Sequence, residues 1–271
     1  MSDKLGPVGF VGYGNMGAAI GSGIFKTHDC DVLAVELSSD RQIWINHHAK
    51  HVCLVDLPDL FSKCEIIFLA IKPQQVHELS TAVLGLLTSR HILISMLAGV
   101  SVAACENLFS PASIVRIMPN TPASVSQGVT GVYFQPQLSE INRALVLKLC
   151  DSFGQSMILS NESDINVVTA LSGSGPAFFY RMVNVFVDFG IQHGLNEADV
   201  KQMVTLTMMG AGHMLTQDSD AHAQINRVAS PNGTTEAGLN MMDQVNFDSL
   251  MSDVLTSAYD RAISLSKETL C

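Results

Sequence analysis

The sequence predicts an α/β protein in which a doubly wound, mostly parallel sheet is followed by an all-helical domain. Up to about residue 160, short runs rich in β-branched residues alternate with segments of helix length, which is typical of parallel βαβ units. Beyond that point the pattern is helical. The 271 residues are enough for two domains of ordinary size. We therefore expect one domain over residues 1–160 and a second over residues 161–271.

Each predicted strand is a short, continuously apolar run that ends at a turn or a proline. After the first run, residues 18–26 have a helical pattern. In the second half, Pro176 opens a long apolar helix and Thr234 begins a further one. The six expected strands are 8–11, 31–36, 65–71, 91–95, 114–117 and 129–134.

The composition excludes several classes of protein. A net charge of −10 argues against nucleic acid or an anionic membrane as a partner held by charge. The six cysteines show no metal-ligand spacing, so we expect reduced thiols, no metal and a cytoplasmic location. The longest uncharged apolar run, 92–105, is too short to cross a bilayer, and no signal segment opens the chain. Only 15% of the residues are charged, which suggests that surface is buried in a homo-oligomer.

The strongest local motif is the glycine pattern GYGNMG at residues 12–17, between a predicted strand and a predicted helix. Gly12 permits a tight turn, Gly14 lets a pyrophosphate approach the backbone, and Gly17 lets helix and strand pack closely. The helix start adds unpaired N–H groups and the positive end of the helix dipole. This context predicts a Rossmann domain that binds NADPH or NADH.

Glu36, which ends the second predicted strand, and Arg41, which follows it, favour different dinucleotides. Glu36 stands where a carboxylate accepts hydrogen bonds from the adenosine ribose, which favours NAD. Arg41, together with Ser38 and Ser39, could instead hold the 2′-phosphate of NADP. Arg41 is equally well explained as an ordinary solvated residue in the first turn of a helix. The sequence alone does not choose between NADH and NADPH.

Four further segments are rich in turn residues and lie where ligands often bind. Lys72 and Pro73 follow one predicted strand, and Asn120, within MPNTP, follows another. Ligands bind at the carboxyl ends of strands in open α/β sheets, although turn chemistry alone also explains both segments. LSGSGP (171–176) and SPNGTT (230–235) place hydroxyls and glycines at helix starts, as N-caps or as an anion pocket.

Two other clusters have ordinary explanations. His47, His48 and His51 have no acidic partner that would complete a metal site, so we interpret them as solvated helix residues. Seven methionines in the helical half are interpreted as core or subunit-interface residues. They are Met203, Met208, Met209, Met214, Met241, Met242 and Met251.

Six segments, taken in order, give the chain a family resemblance: GFVGYGNMG (9–17), AIKP (70–73), LAGVS (97–101), RIMPNTP (116–122), ALSGSGPAFFY (170–180) and VASPNGTTEAGL (228–239). They resemble pyrroline-5-carboxylate reductase, the last enzyme of proline biosynthesis. The resemblance implies NAD(P)H-dependent hydride transfer to the C=N bond of 1-pyrroline-5-carboxylate, which gives L-proline. It also implies a Rossmann domain and an all-helical domain that binds substrate and dimerises by intertwining. Dimers in the family often assemble into a decamer.

The resemblance also assigns roles to single residues. Thr235 matches the threonine nearest the ring nitrogen and is the expected catalytic residue. Asn232 departs from the SPGGTT usual in the family, but asparagine tolerates left-handed backbone angles. The expected substrate residues are Ser230, Gly233, Thr234, Thr235 and Ser174. The expected cofactor residues are Gly12, Gly14, Asn15, Met16, Gly17, Glu36, Ala70, Lys72, Pro73 and Asn120.

Two alternative functions share this architecture. The β-hydroxyacid dehydrogenases place a catalytic lysine about one helical turn after a glycine motif, where this chain has Phe179. Arg181, nearby, cannot act as a base near neutral pH. LSGSGP and SPNGTT contain no His, Lys, Asp or Glu, which fits imine reduction better than alcohol oxidation, because the latter needs a base. A non-catalytic cofactor sensor is the other alternative, and turnover would exclude it.

Overall fold

The computed structural model describes residues 5–268, and the first part of the chain forms an eight-stranded sheet. The strands are β1 (Val8–Val11), β2 (Val32–Val35), β3 (Val52–Leu54), β4 (Ile66–Leu69), β5 (Ile92–Ser95), β6 (Ser113–Met118), β7 (Gly128–Phe134) and β8 (Gly154–Ile158). Their order in the sheet is β3-β2-β1-β4-β5-β6-β7-β8. Neighbouring strands are parallel except β6 and β7, which are antiparallel. The α/β class and the doubly wound, mostly parallel sheet are confirmed.

The six strands expected from the sequence are all present, and the sheet has one more strand at each edge. β3 is three residues long and only partly buried, and β8 is largely exposed. Buried parallel strands are recognised by continuous apolar runs. β8 (GQSMI) has no such run, and β3 (VCL) is apolar but too short to stand out, so neither strand is predicted from the sequence.

Helices cover both faces of the sheet. Because successive residues of a strand point to opposite faces, each buried strand contributes to two cores. Phe10 and Phe68 belong to one core, and their rings stack 4.9 Å apart. Val11 and Leu69 belong to the other. The helices of this part are α1 (Asn15–Thr27), α2 (Ser39–His48), α3 (Leu57–Lys63), α4 (Val76–Ala82), α5 (Val102–Phe109), α6 (Glu140–Cys150) and α7 (Asp164–Val168).

The chain divides into two compact units. The first contains the residues up to Ser174 together with the end of the last helix from Ala258, and the second is Gly175–Ser257. The helical part of the chain begins with α7 at Asp164, whereas the first compact unit continues to Ser174. The domain boundary expected near residue 160 stays a prediction. The second unit is built from α8 (Gly175–Gln192), α9 (Glu197–Gln217), α10 (Ala221–Val228), α11 (Thr234–Gln244) and the first part of α12 (Phe247–Glu268).

The second unit buries few of its side chains. α8 meets α9 at Gly190, where a Cβ would lie 2.7 Å from Cγ1 of the buried Val200. Large apolar residues such as Phe186 and Met209 are more than half exposed. Within residues 5–268, no helix is long and apolar enough to span a membrane.

Candidate functional site

The glycine loop turns sharply between β1 and α1. Gly12 has a left-handed φ of 84°, and a Cβ there would lie 2.6 Å from the carbonyl oxygen of Ala70. Both the backbone angle and the available space therefore require glycine. A Cβ on Gly17 would lie 3.0 Å from the Gly12 carbonyl oxygen, whereas the space beside Gly14 is open. The loop packs helix against strand and leaves the backbone of Gly14 accessible to a ligand.

A cavity of about 400 Å³ lies at the carboxyl ends of β1, β2 and β4, where the strand order reverses. Open α/β sheets bind ligands at such a switch point. Asn15, Met16 and Gly17 form the first turn of the adjoining helix α1. Five of the expected cofactor residues line the cavity: Gly12, Gly14, Glu36, Ala70 and Lys72.

Glu36 binds the glycine loop through its carboxylate. Its Oε2 accepts a hydrogen bond from the N–H of Tyr13 at 2.9 Å, and its Oε1 accepts one from the N–H of Ser38 at 2.9 Å. These contacts fix the carboxylate just beyond the end of β2. An ionised carboxylate offers about four acceptor positions, so hydroxyl donors of a ligand can still bind it.

Arg41, in the first turn of α2, binds the carbonyl groups of the same loop. Its Nε donates to the carbonyl oxygen of Tyr13 at 2.7 Å, and its Nη2 donates to that of Gly14 at 3.0 Å. Its guanidinium also lies 3.8 Å from the centre of the Trp44 ring. The interpretation of Arg41 as an ordinary solvated helix residue is therefore wrong.

Tyr13 anchors the glycine loop to the core, and the sequence did not predict it as a site residue. Its side chain is fully buried, and its ring packs edge-on against Phe10 at 5.4 Å. A Cβ on Gly21 would collide with the Tyr13 hydroxyl, so Gly21 makes room for this ring. Burial raises the pKa of Tyr13 well above its ordinary value. The sequence could have revealed it, because Tyr13 is a large aromatic residue between the two glycines Gly12 and Gly14.

Lys72 and Pro73 follow β4 at the same end of the sheet. The N–H of Lys72 donates to Oε1 of Gln75 at 3.1 Å, and Pro73 begins a short 3₁₀ turn. The exposed side chain of Lys72 brings a positive charge to the cavity lining, where Glu36 and Glu78 bring negative charges.

Asn120 connects two segments of the first unit. Its Nδ2 donates to Oγ of Ser172 at 3.0 Å, and its Oδ1 accepts from the N–H of Val129 at 2.9 Å. The side chain is 8% exposed and lies outside the lining of the cavity described above. These contacts give Asn120 a positioning role, and its expected contact with the cofactor stays a prediction.

The LSGSGP segment lies at the start of α8, as expected, and its first residues belong to a π-helical turn. Thr169–Gly173 forms a π-helical turn directly after α7, and α8 follows it. The N–H of Ser174 donates to the carbonyl oxygen of Thr169 at 2.8 Å, five residues earlier. The wider π turn keeps these small residues within a helical path. The half-buried Ser174, an expected substrate residue, is the last residue before α8.

The SPNGTT segment makes a tight turn at the start of α11. Asn232 has a left-handed φ of 58°, which confirms that asparagine adopts this conformation here. The N–H of Gly233 donates to the carbonyl oxygen of Ser230 at 3.0 Å. No side-chain cap is formed at Gly233 by the described residues. Because first-turn N–H groups have no intrahelical acceptor, those of Thr234 and Thr235 are available to an anion.

Glu236 also stabilises this turn, although its contact was not predicted from the sequence. Its Oε2 accepts a hydrogen bond from the N–H of Asn232 at 2.7 Å. A glutamate in the first turn of a helix is part of a common capping pattern, which was the available signal. The residue stabilises the turn from one side with a carboxylate.

The histidine and cysteine residues show no metal geometry in the part of the chain that the structure describes. His47 and His48 are exposed, as expected. The interpretation of His51 as solvated is wrong, because its ring stacks on Phe25 at 4.6 Å and burial lowers its pKa. Cys53 is exposed, and Cys271 lies outside the described residues. The buried cysteines are Cys30, Cys64, Cys105 and Cys150.

Two family models match the chain. The model described as NADP oxidoreductase, coenzyme F420-dependent, matches residues 7–99. The model described as pyrroline-5-carboxylate reductase dimerisation matches residues 162–265. Together with the parallel sheet, the glycine loop and the cavity, these matches define an NAD(P)-dependent oxidoreductase with a Rossmann domain.

Known relatives match the chain from end to end. Pyrroline-5-carboxylate reductase from Staphylococcus saprophyticus is 31% identical to it, over 96% of this chain and 97% of the relative. The chain therefore belongs to the pyrroline-5-carboxylate reductase family. A solved pyrroline-5-carboxylate reductase from Coxiella burnetii is 28% identical, with a TM-score of 0.87 and coverage of 96% and 98%. The Plasmodium falciparum pyrroline carboxylate reductase with NADP bound is 24% identical and shares the fold, with a TM-score of 0.86 and coverage of 97% and 99%.

Proposed function

We infer that this chain reduces 1-pyrroline-5-carboxylate to L-proline with NAD(P)H as the hydride donor, as the last step of proline biosynthesis. The observation that carries this inference is the end-to-end similarity to pyrroline-5-carboxylate reductases, which covers 96% of the chain. The reaction needs a dinucleotide site and a site for the substrate carboxylate. The cavity at the glycine loop supports the first, and the turn before α11 supports the second.

The glycine loop fits a dinucleotide pyrophosphate. Gly12 excludes a side chain while the space beside Gly14 is open, and the start of α1 offers unpaired N–H groups. When bound, NAD(P)H supplies a hydride to the imine carbon. The residues we assign to the pyrophosphate are Gly12, Gly14, Asn15, Met16 and Gly17. Glu36 is assigned to the adenosine ribose, and Ala70, Lys72, Pro73 and Asn120 to the remaining cofactor contacts.

We assign the substrate carboxylate to the turn before α11. The N–H groups and hydroxyls there can bind an anion without a basic side chain. Thr235 is the proposed catalytic residue, since its hydroxyl can accept a hydrogen bond from the protonated ring nitrogen and orient the ring. The residues assigned to the substrate are Ser174, Ser230, Gly233, Thr234 and Thr235.

The reaction requires little acid or base from the protein. The imine nitrogen would take a proton from solvent, and the hydride supplied by bound NAD(P)H would add to the adjacent carbon while the C=N π electrons become the nitrogen lone pair. The products would be a secondary amine and NAD(P)⁺. Because a protonated imine is already electrophilic, the main task of the residues is to hold the ring in a reactive geometry.

We assign residues 161–271 to substrate binding and dimerisation. A groove of about 620 Å³ between α8 and α9 is lined by apolar side chains. Two of them, Phe186 and Met203, are 63% and 56% exposed. An apolar surface of this kind indicates an interaction site, and the matched dimerisation model supports a second copy of the chain as its partner. Assembly of dimers into a decamer and a cytoplasmic location are further parts of the proposal, with no nucleic-acid or membrane partner.

Oxidation of NADH and NADPH, followed by loss of absorbance with and without 1-pyrroline-5-carboxylate, tests the function. We expect oxidation that depends on the imine and yields proline. Binding of either nucleotide without oxidation would instead support a cofactor sensor. Activity with a β-hydroxyacid and NAD(P)⁺ in place of the imine would support the dehydrogenase alternative.

A further inference from the structure

The cofactor cavity is acidic at the end formed by β2. Glu36 lies just beyond β2, whereas Lys72 follows β4, and β1 separates these two strands in the sheet. Neighbouring strands lie about 4.8 Å apart, so the two residues start about 10 Å from each other. The other charged residue in the lining, Glu78, is acidic as well but lies on α4, which follows β4. Because Glu36 is the charged lining residue nearest the end of β2, the charge beside the expected ribose is negative.

Arg41 follows β2 as well, but its guanidinium binds the backbone of the glycine loop. Two of its N–H groups bind the carbonyl oxygens of Tyr13 and Gly14, and its guanidinium stacks on Trp44. It is not among the residues that line the cavity. These contacts direct its charge at the backbone of the glycine loop.

Glu36 occupies two backbone N–H groups beside the end of β2. One carboxylate oxygen accepts from Ser38, the N-cap of α2, and the other accepts from Tyr13. A 2′-phosphate at this position would compete with the carboxylate for these donors and be repelled by its charge. A 2′-hydroxyl can instead donate to the lone pairs that remain on the carboxylate.

We propose that this chain selects NADH over NADPH, with Glu36 as the selecting residue and Arg41 as a positioning residue for the glycine loop. The proposal deepens the proposed function, because it concerns the cofactor site of the same reaction. Unlike the proposed reaction, this selection can be tested by measuring nucleotide binding without turnover.

The test is a pair of dissociation constants, for NADH and for NADPH, measured without an imine substrate. Trp44 is the single tryptophan of the chain and contacts Arg41, so its fluorescence reports on this end of the site. We expect NADH to bind the wild-type protein about tenfold or more tightly than NADPH, the scale of one misplaced polar contact. Tighter binding of NADPH, or equal binding of the two, would overturn the proposal.

Two variants separate the roles of Glu36 and its surroundings. Glu36→Gln keeps the shape but removes the charge, and we expect the preference for NADH to fall about tenfold. Asp40→Asn removes the same charge from an exposed position in the first turn of α2, and it should leave the preference unchanged. An equal change in both variants would show that the general charge of the region, and not Glu36, selects the cofactor.

Arg41→Ala tests the positioning role. We expect it to weaken NADH and NADPH by similar factors, because it loosens the loop that both nucleotides share. Selective loss of NADPH would show that Arg41 binds the 2′-phosphate, and it would overturn the proposal. Absence of turnover with 1-pyrroline-5-carboxylate would contradict the proposed function, while the ratio of the two dissociation constants would still decide the selection of NADH.

Discussion

The two units of this chain hold their proposed ligand-binding segments in different ways. In the first unit, Glu36 and Arg41 bind the backbone of the glycine loop, and Tyr13 anchors it in the core. In the second unit, the turn at residues 230–235 is held by local hydrogen bonds, on helices whose apolar faces are largely exposed. These contacts indicate that the glycine loop is stable within one subunit. The helical unit, by contrast, is expected to depend on a second copy for its packing.

Phe186→Glu should have the largest effect, because it tests this dependence directly. Phe186 is 63% exposed and lines the apolar groove between α8 and α9. In a dimer that covers this groove, the new carboxylate would be buried without a partner. We expect the dissociation constant of the dimer to rise about a thousandfold, which corresponds to about 4 kcal/mol. Analytical ultracentrifugation measures the change, and the activity should fall with the dimer.

Leu84→Glu is the matched control for this prediction. Leu84 is 83% exposed and belongs to the first unit, so the same new charge should leave the dimer and the activity intact. If Phe186→Glu kept the wild-type sedimentation behaviour, the groove would not be the dimer interface, and the comparison between the two units would fail.

Asn120→Ala tests whether the first unit is held by its own side chains. The change removes the partner of the Val129 N–H and of the Ser172 hydroxyl at a site that is 8% exposed. We expect the free energy of unfolding to fall by about 1–3 kcal/mol, because two partly buried polar groups lose a hydrogen bond. Denaturant unfolding at a fixed protein concentration measures this loss.

The outcome also decides between two roles for Asn120. Asn161→Ala is the control, since Asn161 is exposed and its side-chain amide makes a long hydrogen bond of 3.4 Å to Asp164. This change should lower the free energy of unfolding by less than about 0.5 kcal/mol. Weaker cofactor binding with unchanged stability would make Asn120 a cofactor ligand, as the sequence predicts, and would remove its positioning role.

The first unit was largely predictable because its signals are local. A buried strand, a glycine pattern and a helix predicted the loop, and five of the expected residues line the cavity. The contacts of Arg41 with Tyr13 and Gly14 were not predictable, since they join residues 28 and 27 positions apart across packed elements. The edge strands were missed because β3 is an apolar run of only three residues and β8 contains polar residues.

The second unit was predicted by family resemblance more than by physical pattern. The left-handed backbone of Asn232 followed from the chemistry of asparagine. By contrast, the π turn that ends the first unit before α8 did not follow from the sequence, because shifting the hydrogen bonds by one residue leaves no mark in composition or periodicity. The contact of Glu236 with Asn232 reaches one residue beyond the usual capping pattern, so it was missed as well.

Thr235→Ala tests the chemistry assigned to the second unit. We expect kcat/KM for the imine to fall about tenfold or more, because a hydrogen bond that orients the ring is lost. The dissociation constants for NADH and NADPH should stay unchanged. Thr256→Ala is the control, since this exposed hydroxyl donates to the carbonyl oxygen of Ser252 within α12. An unaltered kcat/KM in Thr235→Ala would remove the catalytic role of this threonine.

Tyr13→Phe should have the smallest effect, and it should be stabilising. The Tyr13 hydroxyl is buried and has no hydrogen-bond partner among the described protein atoms. Since an unpaired buried hydroxyl is costly, we expect the variant to gain about 1 kcal/mol and a few degrees in Tm. Tyr180→Phe, at a position that is 58% exposed, is the control and should change neither.

The gain from Tyr13→Phe should also depend on pH. Burial raises the pKa of Tyr13 above its ordinary value of 10, so the folded protein binds this proton more tightly than the unfolded chain does. The stability linked to this group is complete below pH 10 and is lost as the pH rises above it. The difference in unfolding free energy between the variant and the wild type should therefore widen above pH 10, as thermal unfolding at several pH values would show. A Tyr13→Phe protein that is less stable than the wild type at pH 7 would show that the hydroxyl itself supports the loop, and that Glu36 and Arg41 do not hold it alone.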